Sequence, residues 1–85
     1  MLDLKFSKPS RRFLNKLKDD DWQRLIDKIE SMRTNPFPSN VKRVEGRKDK
    51  TFRVRVGQYR IIYLVYRNRK LLFISDIDKR SRVYD

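Results

Sequence analysis

Phe52-Arg53-Val54-Arg55-Val56-Gly57-Gln58-Tyr59-Arg60-Ile61-Ile62-Tyr63-Leu64-Val65-Tyr66 is the stretch on which the fold of this chain turns. Phe52, Val54 and Val56 alternate with Arg53 and Arg55, the period-2 pattern of a half-buried strand whose polar face carries two guanidinium groups. Gly57-Gln58 supplies a tight two-residue turn. Tyr59 to Tyr66 is a run of β-branched and aromatic residues, the composition expected of a central strand covered on both faces. The two runs predict a β-hairpin at the centre of a sheet.

The flanks extend that sheet. Downstream, Arg67-Asn68-Arg69-Lys70 reads as a turn and Leu71 to Ile77 as the next strand. Upstream, Val41 to Lys50 is polar and basic with Gly46 as its one glycine, a loop with room for an edge strand. Pro36-Phe37-Pro38 is a rigid extended link, and Asn35 before Pro36 is steered out of helical geometry. The helix that stops there begins at Asp19-Asp20-Asp21, whose carboxylates suit exposed N–H groups and the positive end of the helix dipole. Trp22, Leu25, Ile26, Ile29 and Met32 follow at helical spacing and are expected to pack on the sheet.

An earlier helix opens with Ser7 as cap and Pro9 in its first turn, and runs to about Lys18. Phe13, Leu14 and Leu17 lie on one side of it, with Arg11, Arg12, Lys16 and Lys18 outside. Leu2, Leu4 and Phe6 alternate with Asp3 and Lys5 as a short half-buried strand. The predicted fold class is α+β, in the order β-α-α-β-β-β, with two N-terminal helices on one face of a mainly antiparallel sheet. Eighty-five residues have room for one core, so residues 1–85 are read as a single domain.

Composition narrows the chemistry. Lys and Arg number 23 against 11 Asp and Glu, a net charge of +12. Residues 1–40 hold nine basic and six acidic side chains, whereas residues 41–85 hold fourteen and five, so the positive field belongs to the second half. Such a field attracts polyanions by steering and counterion release, and nucleic acid is the commonest polyanion of a cytoplasm. A solubilising surface or a patch neutralised by an acidic protein is the plainer account of the same charge. Cys and His are both absent, which excludes disulfides, thiol nucleophiles, zinc–thiolate sites and imidazole acid–base chemistry. No apolar run approaches the length of a membrane span, and the expected location is the cytoplasm.

Arg60 interrupts an apolar strand, and a buried guanidinium without a partner is costly. Arg53 and Arg55 share one strand face, and across the turn all three arginines can converge. Alternatively, Arg60 pairs with Asp76 or Asp78 while Arg53 and Arg55 form an ordinary solvated face. The tail, Asp78-Lys79-Arg80-Ser81-Arg82-Val83-Tyr84-Asp85, adds three basic groups and a tyrosine. An aromatic beside arginines can stack on a nucleobase while guanidiniums hold phosphate, about 1–3 kcal/mol per stacked base. Equally, Val83 and Tyr84 can pin the tail to the core.

Phe52 to Tyr63, followed by Lys79-Arg80-Ser81-Arg82-Val83-Tyr84, resembles the RelE/ParE toxin superfamily, and the basic cluster ending in Val-Tyr resembles its RelE branch. The resemblance implies a RelE-like fold and a toxin that cleaves messenger RNA in the ribosomal A site by attack of a ribose 2′-hydroxyl on the adjacent phosphate. It also implies that the chain needs no cofactor or metal, and that it is monomeric alone and oligomeric with an acidic, RelB-like antitoxin. Carried over by position, Arg55, Arg60, Arg80 and Tyr84 are the catalytic candidates. Arg53, Arg47, Lys50, Lys79 and Arg82 are the RNA-binding candidates.

One departure concerns Arg53 and Arg55, where the family often has lysine. Arginine does not surrender its proton, so a general-base role at Arg55 is disfavoured. Two other functions fit the same residues: a ParE-like inhibitor of DNA gyrase, and a basic RNA-binding module without nuclease chemistry.

Overall fold

The structure, a computed structural model, describes residues 1–79. Five strands form one sheet: β1 (Asp3–Phe6), β2 (Lys42–Arg43), β3 (Phe52–Val56), β4 (Tyr59–Tyr66) and β5 (Leu71–Lys79), side by side in the order β1-β5-β4-β3-β2. All neighbours are antiparallel except β1, which pairs with β5 in parallel. Two helices, α1 (Lys8–Asn15) and α2 (Asp19–Met32), follow β1. The α+β reading and its element order hold, with the two-residue β2 as the edge strand for which the basic loop left room.

The hairpin at the centre forms where its residues require. Val56 faces Tyr59 across Gly57-Gln58, and Gly57 takes φ +59°, a left-handed value that a residue without a Cβ adopts at no steric cost. A Cβ there would also lie 2.8 Å from the Arg24 guanidinium of α2, so the hairpin tip sits closely under that helix.

Leu25, Ile29 and Met32 of α2 and Leu14 of α1 bury against Val54, Ile61, Tyr63, Leu72, Ile74 and Ile77 of the sheet. Directly opposed residues of antiparallel strands project to the same side. The pairs Val54–Ile61, Ile61–Ile77, Tyr63–Ile74 and Val65–Leu72 therefore define one covered face. Tyr63 donates its hydroxyl to the Pro36 carbonyl at 2.6 Å, and its ring meets Phe52, which in turn meets Phe37 edge-on at 5.0 Å. The Pro36-Phe37-Pro38 link is tied to the sheet in this way.

Four expectations need correction. α1 stops at Asn15 rather than near Lys18, because Lys18 is already extended as the residue capping α2. The three aspartates occupy the first turn of α2 and suit its dipole, but the capping position makes no side-chain bond. Trp22 lies on the helical stripe yet is 39% exposed, since in that first turn it is Asp21 that reaches the sheet, through the Tyr59 hydroxyl at 2.8 Å. Finally, the helices cover β4 on one side only. Ile62 and Leu64 are half-buried on its other side and do not join the core.

Candidate nucleic-acid interface

The open side of the sheet is set by register, and it reads as rows across the strands. One row is Arg55 of β3, Arg60 of β4 and Asp78 of β5. The next is Lys42 of β2, Arg53, Ile62 and Asp76. A third runs Leu64, Phe73 and Lys5, and the last is Tyr66, Leu71 and Asp3. One end of this face is cationic and the other is apolar and aromatic.

A break in strand phase makes the first row possible. Ile74 and Ile77 are both buried although they are three residues apart, and simple alternation would send Asp76 and Asp78 to the same side as Ile74. The register shift between Ile62 and Tyr63 absorbs one extra residue of β5, Ser75. Beyond it Ile77 returns to the core, and Asp76 and Asp78 turn to the open side. The start of α1 holds this bulge. Ser7 Oγ donates to the Ser75 carbonyl at 2.7 Å, and the fully buried Ser10 donates to the Ile74 carbonyl at 3.2 Å. The same Ser7 oxygen accepts from the Ser10 N–H as the helix cap.

Arg60 meets Asp78 in a two-point contact, Nε to Oδ1 at 3.0 Å and Nη2 to Oδ2 at 3.2 Å. Of the two carboxylates named as partners, Asp78 is the one engaged. Both side chains retain exposure, 27% and 37%, so solvent screens the pair. Arg55, directly across from Arg60, is exposed, and Arg53 is half-buried. Neither forms an ion pair among the described residues. Like charges facing each other across strands are destabilising. Folding alone therefore gives no reason for Arg55 to stand opposite Arg60.

The other candidates disperse. Lys79 is exposed, but its register partner is Tyr59, which places it on the side away from Arg60. Lys50 stands just before β3, at the far end from Arg55, and Arg47 is exposed in the loop between β2 and β3. Arg80, Arg82 and Tyr84 lie outside the described residues. The structure thus gathers Arg53, Arg55 and Arg60, to which Lys42, overlooked in the sequence, is added by its pairing with Arg53. Its signal was present as one more cation in the segment expected to hold an edge strand.

Two tyrosines that fall among these elements serve the covered side. Donation to Asp21, reinforced by burial, raises the pKa of Tyr59. Burial alone pushes that of Tyr63 far up. Both remain protonated hydrogen-bond donors at neutral pH and are structural groups.

The family model for the ParE toxin of type II toxin-antitoxin systems matches residues 4–84. A curated relative from Methanocaldococcus jannaschii that bears the name toxin RelE1 is 32% identical over 80 residues, covering 87% of this chain and 88% of its own length. Among solved structures, a chain of the archaeal RelE–RelB complex from Pyrococcus horikoshii OT3 superposes with a TM-score of 0.84 at 27% identity, covering 96% of this chain and 98% of that one. The isolated RelE toxin of E. coli gives 0.82 at 19% identity, covering 99% and 89%. At that identity the second likeness speaks for the fold.

Proposed function

The chain belongs to the RelE/ParE superfamily as a RelE-like toxin of a type II toxin-antitoxin system, and from that premise we propose that it is an endoribonuclease that cuts messenger RNA on the ribosome. The observation that supports this reading best is the row in which Arg55 faces Arg60, with Arg53 and Lys42 beside it, on the side of the sheet that the helices leave open. A set of fixed cations suits a phosphate that gains negative charge in the transition state, and each such preorganised donor is worth about 2.7–4 kcal/mol.

In the proposed reaction the ribose 2′-hydroxyl gives up its proton as its oxygen bonds to the adjacent phosphorus, and the bond from phosphorus to the 5′-oxygen breaks as that oxygen takes up a proton, leaving a cyclic phosphate and a 5′-hydroxyl. Arg60 and Arg55 bear the charge of the five-coordinate phosphorus, and Arg53 and Lys42 hold neighbouring phosphates. Arg80 and Tyr84 are assigned by resemblance to the same centre, as a further guanidinium and a base-stacking ring. Asp78 keeps the Arg60 guanidinium oriented until substrate arrives. Exchanging that carboxylate for phosphate is easy, since an exposed pair is worth only about 0.2–1 kcal/mol. Arginine cannot serve as the base, so Arg55 acts as a charge stabiliser. The proposed setting is the cytoplasm, and the proposed inhibitor is an acidic antitoxin that covers these cations, as RelB partners RelE in the Pyrococcus horikoshii complex.

The test is induction of the wild type beside Arg60→Ala, following protein synthesis and mapping message ends by primer extension. We expect wild-type cuts within minutes and a 100- to 1,000-fold slower rate in the variant, the size of losing one charge-stabilising donor. Cuts that persist unchanged in Arg60→Ala sink the assignment. DNA damage without message cleavage would point to a gyrase inhibitor, and RNA binding without cuts to a plain binding module.

A further inference from the structure

The apolar end of the open face continues into a groove of about 740 Å³ where the β4–β5 turn meets the start of β3. That volume is in the range, roughly 300–1,000 Å³, of sites that hold a small ligand or one unit of a larger one. β4 runs three residues past its last pairing with β3, at Tyr63–Phe52, and the groove lies along the edge left unpaired on that side while β5 pairs the other. Its walls are aromatic and cationic together: Phe37, Tyr66 and Phe73 with Lys5, Lys50 and Arg67.

Three features bear on what fits there. Among the described residues no carboxylate lines the groove; Asp3, across from Leu71 on β1, stays outside it. Tyr66 is 37% exposed, as a ring that stacks on a ligand must be, and Phe73 is half-buried on the same side of the sheet. The Arg67 guanidinium is held 5.4 Å above the Phe37 ring, so it is already ordered beside an aromatic surface. Rings that offer flat faces, bordered by cations, are the combination that binds single-stranded nucleic acid, with bases stacked and phosphates paired. An acidic peptide would satisfy the cations and leave the aromatic faces without a matching planar group.

We propose that this groove binds the part of the RNA strand that flanks the cleaved phosphate, with Tyr66 as a base-stacking platform and Arg67 and Lys50 as phosphate contacts. The proposal rests on the endoribonuclease reading for the identity of the strand, and it deepens that reading by giving the substrate a second, separate foothold. Tyr66 and Arg60 stand on the same side of β4, six residues or about 20 Å apart. A strand lying along that face reaches both, whereas a single nucleotide reaches only one.

The experiment measures binding without cleavage. Purified full-length chain is titrated into two fluorescent single-stranded RNAs carrying 2′-O-methyl groups, a dinucleotide and a dodecamer, and anisotropy is followed at fixed salt. The wild type is compared with the double variant Tyr66→Ala/Arg67→Ala, whose fold is checked by thermal melting. We expect the dodecamer to bind the variant at least 10-fold more weakly, with a shallower salt dependence, and the dinucleotide, which occupies one foothold at a time, to lose several-fold less.

Equal dodecamer affinity in the two proteins overturns the proposal, even if the wild type cuts messages. A selective loss of affinity for an acidic antitoxin peptide, with RNA binding intact, also overturns it and makes the groove a protein-docking site. Conversely, weakened dodecamer binding in a chain whose wild type cuts nothing sustains the groove and removes the nuclease.

Discussion

Ile61 and Ile62 are consecutive residues of β4, and they belong to two different molecules in all but covalent terms. Ile61 is fully buried under the helices, and both of its register partners, Val54 and Ile77, are buried and apolar. Ile62 sits half-exposed in a row with Lys42, Arg53 and Asp76. On the covered side each choice of residue lowers the free energy of folding. On the open side arginines oppose one another and leucine, phenylalanine and tyrosine face outward, choices that folding by itself would penalise. A face kept at odds with the stability of its own sheet is where a ligand supplies the missing interactions.

Truncating the two isoleucines should separate the two faces most strongly. Ile61→Ala should cost about 2–5 kcal/mol, because it empties a site enclosed on all sides. Ile62→Ala should cost under about 1.5 kcal/mol, since its site is already partly filled by solvent. Urea unfolding of both variants at neutral pH measures the difference. Equal losses would mean that the open face is packed as tightly as the covered one, and the distinction between them would collapse.

Much of this could be read from the residues. Alternation in Phe52–Val56 placed Arg53 and Arg55 together, and the two-residue turn brought Arg60 across from them. The bulge was harder to see. Leu72, Ile74 and Ile77 carry its signature, a step of two followed by a step of three, which breaks strand periodicity in an apolar run. Reading Asp78 and Lys79 as the start of a tail hid the fact that they complete β5, whereas the pairing of Arg60 with Asp78 was among the alternatives the residues offered. The groove was out of reach of local patterns altogether, because Phe37 and Phe73 are 36 positions apart in sequence and meet only through the strand order.

Ser7 joins the two sides, as cap of α1 and as donor to the Ser75 carbonyl in the bulge. Ser7→Ala removes a cap worth about 1 kcal/mol and a bond to a carbonyl whose loss costs about 1–3 kcal/mol. We expect a net loss of roughly 2–4 kcal/mol, from these same terms. Its distribution should be uneven. Amide exchange should quicken first in Asp76–Lys79, the segment whose phase the bulge sets, and the proposed RNA cleavage should fall as Asp78 loses its place beside Arg60. Exchange that rises evenly along all strands would show that Ser7 serves only the helix.

The smallest effect is confined to the covered side and depends on pH. Tyr63 is buried and its hydroxyl donates to the Pro36 carbonyl, so its folded pKa lies above the unfolded value of about 10. A group raised on folding contributes its full stability below the unfolded pKa and loses it as pH climbs toward the folded one. Wild-type stability should therefore fall above about pH 10, by up to roughly 1.4 kcal/mol per pH unit from this one group. Tyr63→Phe should cost about 1 kcal/mol at pH 7, the worth of its hydrogen bond, and fall less steeply in alkali. All other ionisable groups are common to the two proteins and cancel in the comparison. The gap between the two should consequently shrink above about pH 10 and reverse by about pH 11.5 in urea titrations. A gap that stays constant across that range would mean that the Tyr63 hydroxyl ionises as freely in the fold as in the unfolded chain, which a ring sealed between Phe52 and Ile74 does not permit.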